Sequence, residues 1–297
     1  MGDKRRGRPA RGDLMTPRPA PTARRVRLAT ELRKLRERAG LTSTEAAKLL
    51  GTSSGQLSNV ESARFGVSPE RVRAMAHAYT CTDQEFVEAL VDMANDRTRG
   101  WWETFREVLP PTFLNIAELE FHATALRSAN TAHIPGLLQT TDHAREIFRQ
   151  VVPELTRSDI EHRVNHRLQR QAVLEQSVPT TFRAVVHEAA LRVPVGGPAV
   201  AKHQLQHLVE QSEREHVTIR VIPFAIGAYP GSGQNVHYAS GPVARLDTVS
   251  LDQSHGPVLV DAEAQLEMYR VLLDRMEHVS LEPSKSRDFI HHLIHDL

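Results

Sequence analysis

The stretch LTSTEAAKLLGTSSGQLSNVE, Leu41 to Glu61, holds two short apolar-periodic segments on either side of a glycine. The first is spaced through Ala46, Ala47, Leu49 and Leu50, the second through Leu57 and Val60, and the chain between them has to reverse direction at Gly51. Thr42 can accept a hydrogen bond from the backbone N–H near Glu45 while the Glu45 carboxylate accepts from the Thr42 amide. This reciprocal capping box starts a helix at about Ser43. Ala46 and Ala47 are small where a second helix must pass close, and Gly51 follows the last periodic residue, where a left-handed backbone costs glycine little. The second helix is expected from Thr52 or Ser53. Its outward face reads Ser54, Gly55, Gln56, Ser58 and Asn59, with Leu57 and Val60 inward. A helix seated in the DNA major groove needs such a face, because Asn and Gln bond an adenine edge bidentately and Ser bonds several bases. The bland alternative is a small helical bundle whose polar side simply meets water.

Working outward, Arg33-Lys34-Leu35-Arg36 ahead of Gly40-Leu41-Thr42, then Ala46-Ala47 and Ser58-Asn59-Val60-Glu61, resembles the Xre/Cro family of phage-repressor-like DNA-binding domains over about residues 24–95. The resemblance implies an all-α, five-helix, lambda-repressor-like fold. It also implies an ion pair from Arg36 to Glu61 tying the first helix to the recognition helix, and a phosphate contact from Arg64. Thr42, Ser43 and Ser53 join Ser54, Gln56, Ser58 and Asn59 as the expected DNA contacts. Two departures matter: Gly55 replaces a long polar residue, and Ser43 replaces the usual phosphate-touching Gln. The family's base preference therefore does not carry over.

The chain has 297 residues, 40% of them hydrophobic, enough for buried cores in two domains. Its net charge of +1 hides an uneven distribution: residues 1–39 hold thirteen Lys or Arg against four acids, a local +9, and the remainder sums to −8. A basic end on an otherwise acidic protein points to a phosphate backbone as that end's partner. Residues 1–22 are rich in Arg, Pro and Gly with almost no large apolar side chain, so they are expected to be a disordered basic arm. Within it Arg6-Gly7-Arg8-Pro9 resembles the core of an AT-hook, which lays two arginines, here Arg6 and Arg8, in the narrow minor groove of A·T-rich DNA. An unspecific electrostatic tether is the other reading of the arm.

Apolar spacing through Val26, Leu28, Ala29, Leu32 and Leu35 predicts a first helix from Arg24 to Arg38. Ser68-Pro69-Glu70 opens a fourth, with Val72, Met75, Ala76 and Tyr79 inward. Thr82 or Asp83 opens a fifth, with Phe86, Val87, Leu90 and Met93 inward, closing a DNA-binding domain over residues 23–96. Trp101-Trp102 marks the start of a second domain, residues 101–297. Paired tryptophans either stack on a base or ligand or, more commonly, anchor a junction. Here a helix is expected over Phe113–Ala125, inward through Leu114, Ala117, Leu119 and Phe121. An apolar loop from Ile134 to Thr140 then opens a helix Asp142–Val151, and an arginine-rich helix covers Ser158–Glu175. Strands are expected at Thr180–Val186, Val217–Phe224, Gln234–Ala239, Val243–Leu251 and Pro257–Val260, with helices at Ala199–Arg214, Ala262–His278 and Ser284–His295. Together they predict an α+β (α/β) C-terminal domain.

Trp102, the segment Ile134 to Thr140 and Val221-Ile222-Pro223-Phe224 with Gly227-Ala228 and Gly231 are similar to a C-terminal domain of unassigned function that follows this helix-turn-helix in actinobacterial regulators. Some of those are antitoxin-like and are encoded beside a very small acidic partner protein.

No enzyme constellation emerges. The histidine pairs His162/His166, His203/His207 and His291/His295 have helical spacing for a metal but lack a third ligand, and we expect surface histidines instead. Gly227 to Gly233 lacks the Lys-Ser/Thr and helix start of a phosphate loop. It is either a loop closing over a pocket or a plain hairpin turn. The single Cys81 and the absence of an apolar leader or an 18-residue apolar run point to a cytoplasmic protein without membrane contact. The expected molecule is a dimeric, sequence-specific transcription regulator that binds double-stranded DNA and uses no cofactor. Its C-terminal domain dimerises and senses a small partner protein or a ligand. The alternative is an antitoxin-type protein that sequesters a small partner and autoregulates its own operon.

Overall fold

A computed structural model describes residues 21–96, 98–253 and 256–297. Arg6 and Arg8 lie outside the described residues. The N-terminal half is helical: α1 (Ala23–Arg38), α2 (Ser43–Leu49), α3 (Ser54–Glu61), α4 (Pro69–Ala78) and α5 (Gln84–Asn95). Thr22, Thr42, Ser53, Ser68 and Asp83 each cap one of these helices by accepting from a backbone N–H three residues on, which satisfies an amide that has no partner within the helix. The capping box of Thr42 and Glu45 closes in both directions, and Gly51 turns the chain with φ +59°. Leu32, Ala46, Leu57, Met75, Phe86 and Leu90 fill the core. Two expected core residues do not join it: Val26 and Leu49 are 44% and 62% exposed. Each lies off the buried arc of its helix, which runs through Leu28, Ala29, Leu32 and Leu35 in α1 and through Ala46 and Ala47 in α2.

The C-terminal half builds one mixed sheet. In chain order it runs α6 (Pro111–Phe121), β1 (Ala125–Asn130), α7 (Thr141–Arg149), α8 (Arg157–Gln171), β2 (Thr181–His187), α9 (Glu188–Arg192), α10 (Pro198–Gln211), β3 (Val217–Ile222), β4 (Val236–Ser240), β5 (Thr248–Leu251), β6 (Val258–Val260), α11 (Glu263–Val279) and α12 (Pro283–Asp296). The strand order is β3-β2-β1-β4-β5-β6, with β1, β2 and β3 parallel and β4, β5 and β6 antiparallel. Successive side chains point to opposite faces. One face buries Leu126, Phe182, Ala184 and Ile219 with side chains from α10 and α12; the other buries Ala129, Tyr238 and Val249 against Leu266, Tyr269 and Leu273 of α11.

Several sequence expectations change. The helix expected to Ala125 stops at Phe121, which is 39% exposed, and Ala125–Asn130 is instead the central strand β1, whose ALRSAN carries none of the β-branched residues that mark a strand. The run Val243–Leu251 is a short 3-10 turn at Ala244–Leu246 before β5 begins at Thr248. Helix α9 carried no sequence signal. The glycine-rich run Gly227–Gly233 is no hairpin, because β3 and β4, which it joins, are separated in the sheet by β2 and β1. His166 is fully buried rather than on the surface, ringed by Trp101, Phe105 and Phe113 at centroid distances of 5.3, 5.2 and 5.6 Å.

The two halves are locked through α1. Its first two amides are satisfied from α6: Ala23 N donates to Asn115 Oδ1 at 3.2 Å and Arg24 N to Glu118 Oε2 at 3.3 Å. Arg27 donates to the Arg245 carbonyl at 2.6 Å and to Thr248 Oγ1 at 3.3 Å. Leu246 enters the helical core, and the Arg245 guanidinium stacks 3.7 Å over the Phe86 ring. Trp102, only 3% exposed, packs with Phe105, Leu109 and Leu114 at the junction.

Candidate nucleic-acid interface

Helix α3 is held by one buried apolar residue, Leu57, and one ion pair. Arg36 on α1 reaches Glu61 at the end of α3 with Nε to Oε1 at 2.7 Å and a second nitrogen to Oε2 at 2.9 Å, while its remaining nitrogen donates to the Leu41 carbonyl at 2.8 Å. The Glu61 hydrogen bond raises the Arg36 pKa against the opposing effect of burial. Such a fork fixes orientation as well as distance. It sets the angle at which the opposite side of α3 faces out.

On that side Ser54, Gly55, Gln56 and Ser58 are exposed and Asn59 is half-buried. Ser53 caps the helix, accepting from Gln56 N at 3.2 Å. Thr52 Oγ1 donates to Gln56 Oε1 at 2.6 Å, which orients the amide and leaves its NH2 donors unengaged among the described residues. Thr42 is exposed and Ser43 half-buried at the start of α2, and Arg64 is exposed on the loop beyond α3.

The basic character of α1 resolves differently from its sequence. Arg33 pairs with Glu37, Lys34 with Glu31 and Asp261, Arg36 with Glu61 and Arg38 with Glu263; Arg24 pairs with Asp96 and Arg27 with Glu31 and Asp261. These cations join helices and halves of the protein. Arg25, Lys48 and Arg64 are exposed and have no carboxylate partner among the described residues, and Arg25 stands beside Gly66 in the same loop as Arg64. Sequence reasoning singled out Arg64 and missed Arg25 and Lys48, because a free cation and a paired one look alike in a string of residues.

No group of three or more His, Cys, Asp or Glu able to hold a metal occurs among the described residues. No helix among them is long and apolar enough to cross a membrane.

Comparison with protein families matches residues 27–90 to a helix-turn-helix domain and residues 113–292 to a domain of unknown function, DUF5753. Neither the curated proteins nor the solved structures give a match. With a helix-turn-helix ahead of a domain that covers more than half of its length, the chain belongs to the DUF5753 family.

Proposed function

We propose that this DUF5753 protein is a transcription regulator of the Xre type that binds DNA sequence-specifically as a two-fold dimer, with α3 in the major groove and its C-terminal domain as effector module. The observation that carries the reading is the polar, outward face of α3, whose other side is pinned by Leu57 and by the Arg36–Glu61 fork. A recognition helix of eight residues reaches only a few base pairs, and pairing two of them on half-sites about one helical turn (~10 bp) apart supplies the rest of the specificity. Arg25, Lys48 and Arg64 supply phosphate contacts. The arm with Arg6 and Arg8 adds a minor-groove or electrostatic contact.

Footprinting the protein on its own upstream DNA tests this reading. A protected pair of half-sites, lost or altered on replacing Gln56 and Asn59 with Ala, supports it; unchanged protection by that variant overturns the assignment of α3. An antitoxin-type role, sequestering a small acidic partner, is opposed by the net −8 carried after residue 39, since like charges repel. Co-purification of such a partner would restore it.

A further inference from the structure

On the α6 side of the sheet, one cross-strand row carries three polar side chains. Ser128 of β1 lies opposite His237 of β4, and His237 opposite Ser250 of β5. These three side chains share a face and line a cavity of about 290 Å³, with Arg167 and Arg170 of α8 on the far wall. Phe113 and Ile116 of α6, Ile134 and Leu137 of the loop before α7, and Phe182 of β2 supply an apolar wall, while Asn130, Gln139, Asn235 and Asp252 add further polar groups. The size is just under the range of small-molecule pockets, about 300–1,000 Å³, and the lining pairs an apolar wall with a polar one.

Two cations and two carboxylates meet at this cavity, but among the described residues only Glu120 is in contact with one of the cations. Glu120, fully buried, receives a two-pronged contact from Arg170 at 2.6 and 2.7 Å and stands 3.1 Å from His237 Nε2. Burial pushes its carboxyl up, but Arg170 and His237 outweigh that and hold it at about 2. The same loop glycine, Gly136, lies close to the guanidinium groups of both Arg167 and Arg170, so a second buried cation shares the neighbourhood of one carboxylate. Arg167 has no ion pair among the described residues. It bonds Gln139 and stacks 4.2 Å over Phe148, and its buried Nε–H has no acceptor among the described residues. Burial first, and then Arg170, push its pKa down to about 9, still cationic at pH 7. Asp252, the other carboxylate acting on it, lines the cavity and acts on Arg170 as well, and is itself exposed. Ser128, 3% exposed, has an Oγ without a partner among the described residues, and Asn130 Oδ1 is in the same state. Buried polar groups are otherwise almost always paired. The groove of about 390 Å³ between α1 and the sheet differs on this point, since its cations Arg24 and Arg27 already have carboxylates.

We propose that this cavity binds a small organic acid with an apolar body, its carboxylate received by Arg167 and Ser128 and its body lying against Phe113, Ile116 and Phe182. A single guanidinium with no carboxylate in contact among the described residues suits a monoanion. Helix α6 is the wall between the cavity and the DNA-binding domain: Phe113 and Ile116 face the ligand, while Asn115 and Glu118 hold the first amides of α1. Occupancy therefore shifts the seat of α1. That coupling rests on the regulator reading above; the binding site does not.

The test uses the full chain with hexanoate and phenylacetate, the neutral hexanamide and phenylacetamide, and inorganic phosphate. Binding is read by calorimetry and by the rise in Tm. Saturable binding of either acid, absent for its amide, weakened about 10- to 100-fold in Arg167→Met and several-fold in Ser128→Val, is the expected result. No binding of either acid, equal binding of the amides, binding of phosphate alone, or acid affinity unchanged in a folded Arg167→Met overturns the site. If the acids bind, DNA affinity with and without them then tests the coupling: a change of several-fold supports it and no change overturns it. A chain that binds acids but no DNA fails the regulator reading and leaves the site standing.

Discussion

Two arginine–glutamate forks, one in each half of the molecule, make opposite use of the same chemistry. Arg36 and Glu61 balance each other, with the third direction of the guanidinium on the Leu41 carbonyl. Their pair closes a helix-turn-helix and leaves nothing over. Arg170 and Glu120 form an equally direct fork but lie at a cavity where a second guanidinium, that of Arg167, has no ion pair among the described residues. The contrast is between a fork that engages all three guanidinium nitrogens and one beside a guanidinium whose Nε–H has no acceptor among the described residues, the feature on which the proposed acid site rests.

The comparison is broken most severely at Glu120. In Glu120→Gln the Arg170 guanidinium loses the one carboxylate that contacts it among the described residues, and we expect a loss of about 3–5 kcal/mol in urea unfolding. A loss under 1 kcal/mol would mean that water or relaxation already compensates it. Arg36→Met strands Glu61 near the surface of the helical half, with an expected cost of about 3 kcal/mol and loss of DNA binding. Retained binding would separate the fork from the placement of α3.

Acid sharpens the same contrast. His166, His122 and His143 are pushed down to about 3, 4 and 4, in each case chiefly by burial. A histidine whose folded pKa is lowered binds fewer protons folded than unfolded, so its contribution is present above the unfolded pKa and is lost as pH falls from about 6.5 through the folded value. The Glu120 carboxyl, held at about 2, follows the same sign in a lower window, between its usual carboxylate range and about 2. Stability therefore falls in two stages on acidification. His166→Phe, in its cage of aromatic rings, flattens the upper stage, and Glu120→Gln removes part of the lower. A pH profile identical to wild type in both variants would contradict this.

Smaller effects remain. Thr42→Ala removes the capping box of α2 and costs about 1 kcal/mol. Arg167→Met exchanges an unpaired buried cation for an apolar chain of similar length. It changes stability by under about 1 kcal/mol, or raises it, in contrast to Arg36→Met.

Much of the helical half was legible because its signals are local. Thr42 with Glu45, Gly51, Ser68-Pro69 and the periodicity of α4 and α5 all lie within a few residues of what they control. The outward residues of α3 were legible for the same reason. In the C-terminal half the loss of legibility has a physical cause: β1 gains its strand conformation from pairing with β2 and β4, more than 50 residues away in sequence, and ALRSAN has no intrinsic preference that announces it. His166 looked like a surface residue on a polar helix until Trp101, Phe105 and Phe113 covered it. The charged clamp on α1 was equally hidden, since Asp261 and Glu263 lie more than 200 positions downstream. The cavity depends on register, which brings Ser128, His237 and Ser250 into one row.

The most direct test of the central claim, that α3 reads base edges, is selection of bound sequences from a random double-stranded library by wild type and by Gln56→Ala. We predict an inverted pair of half-sites spaced by about one helical turn, with the variant losing its preference at one base pair of each half-site while the rest of the motif persists. An enriched motif identical in the two proteins, or no motif at all, would contradict the account.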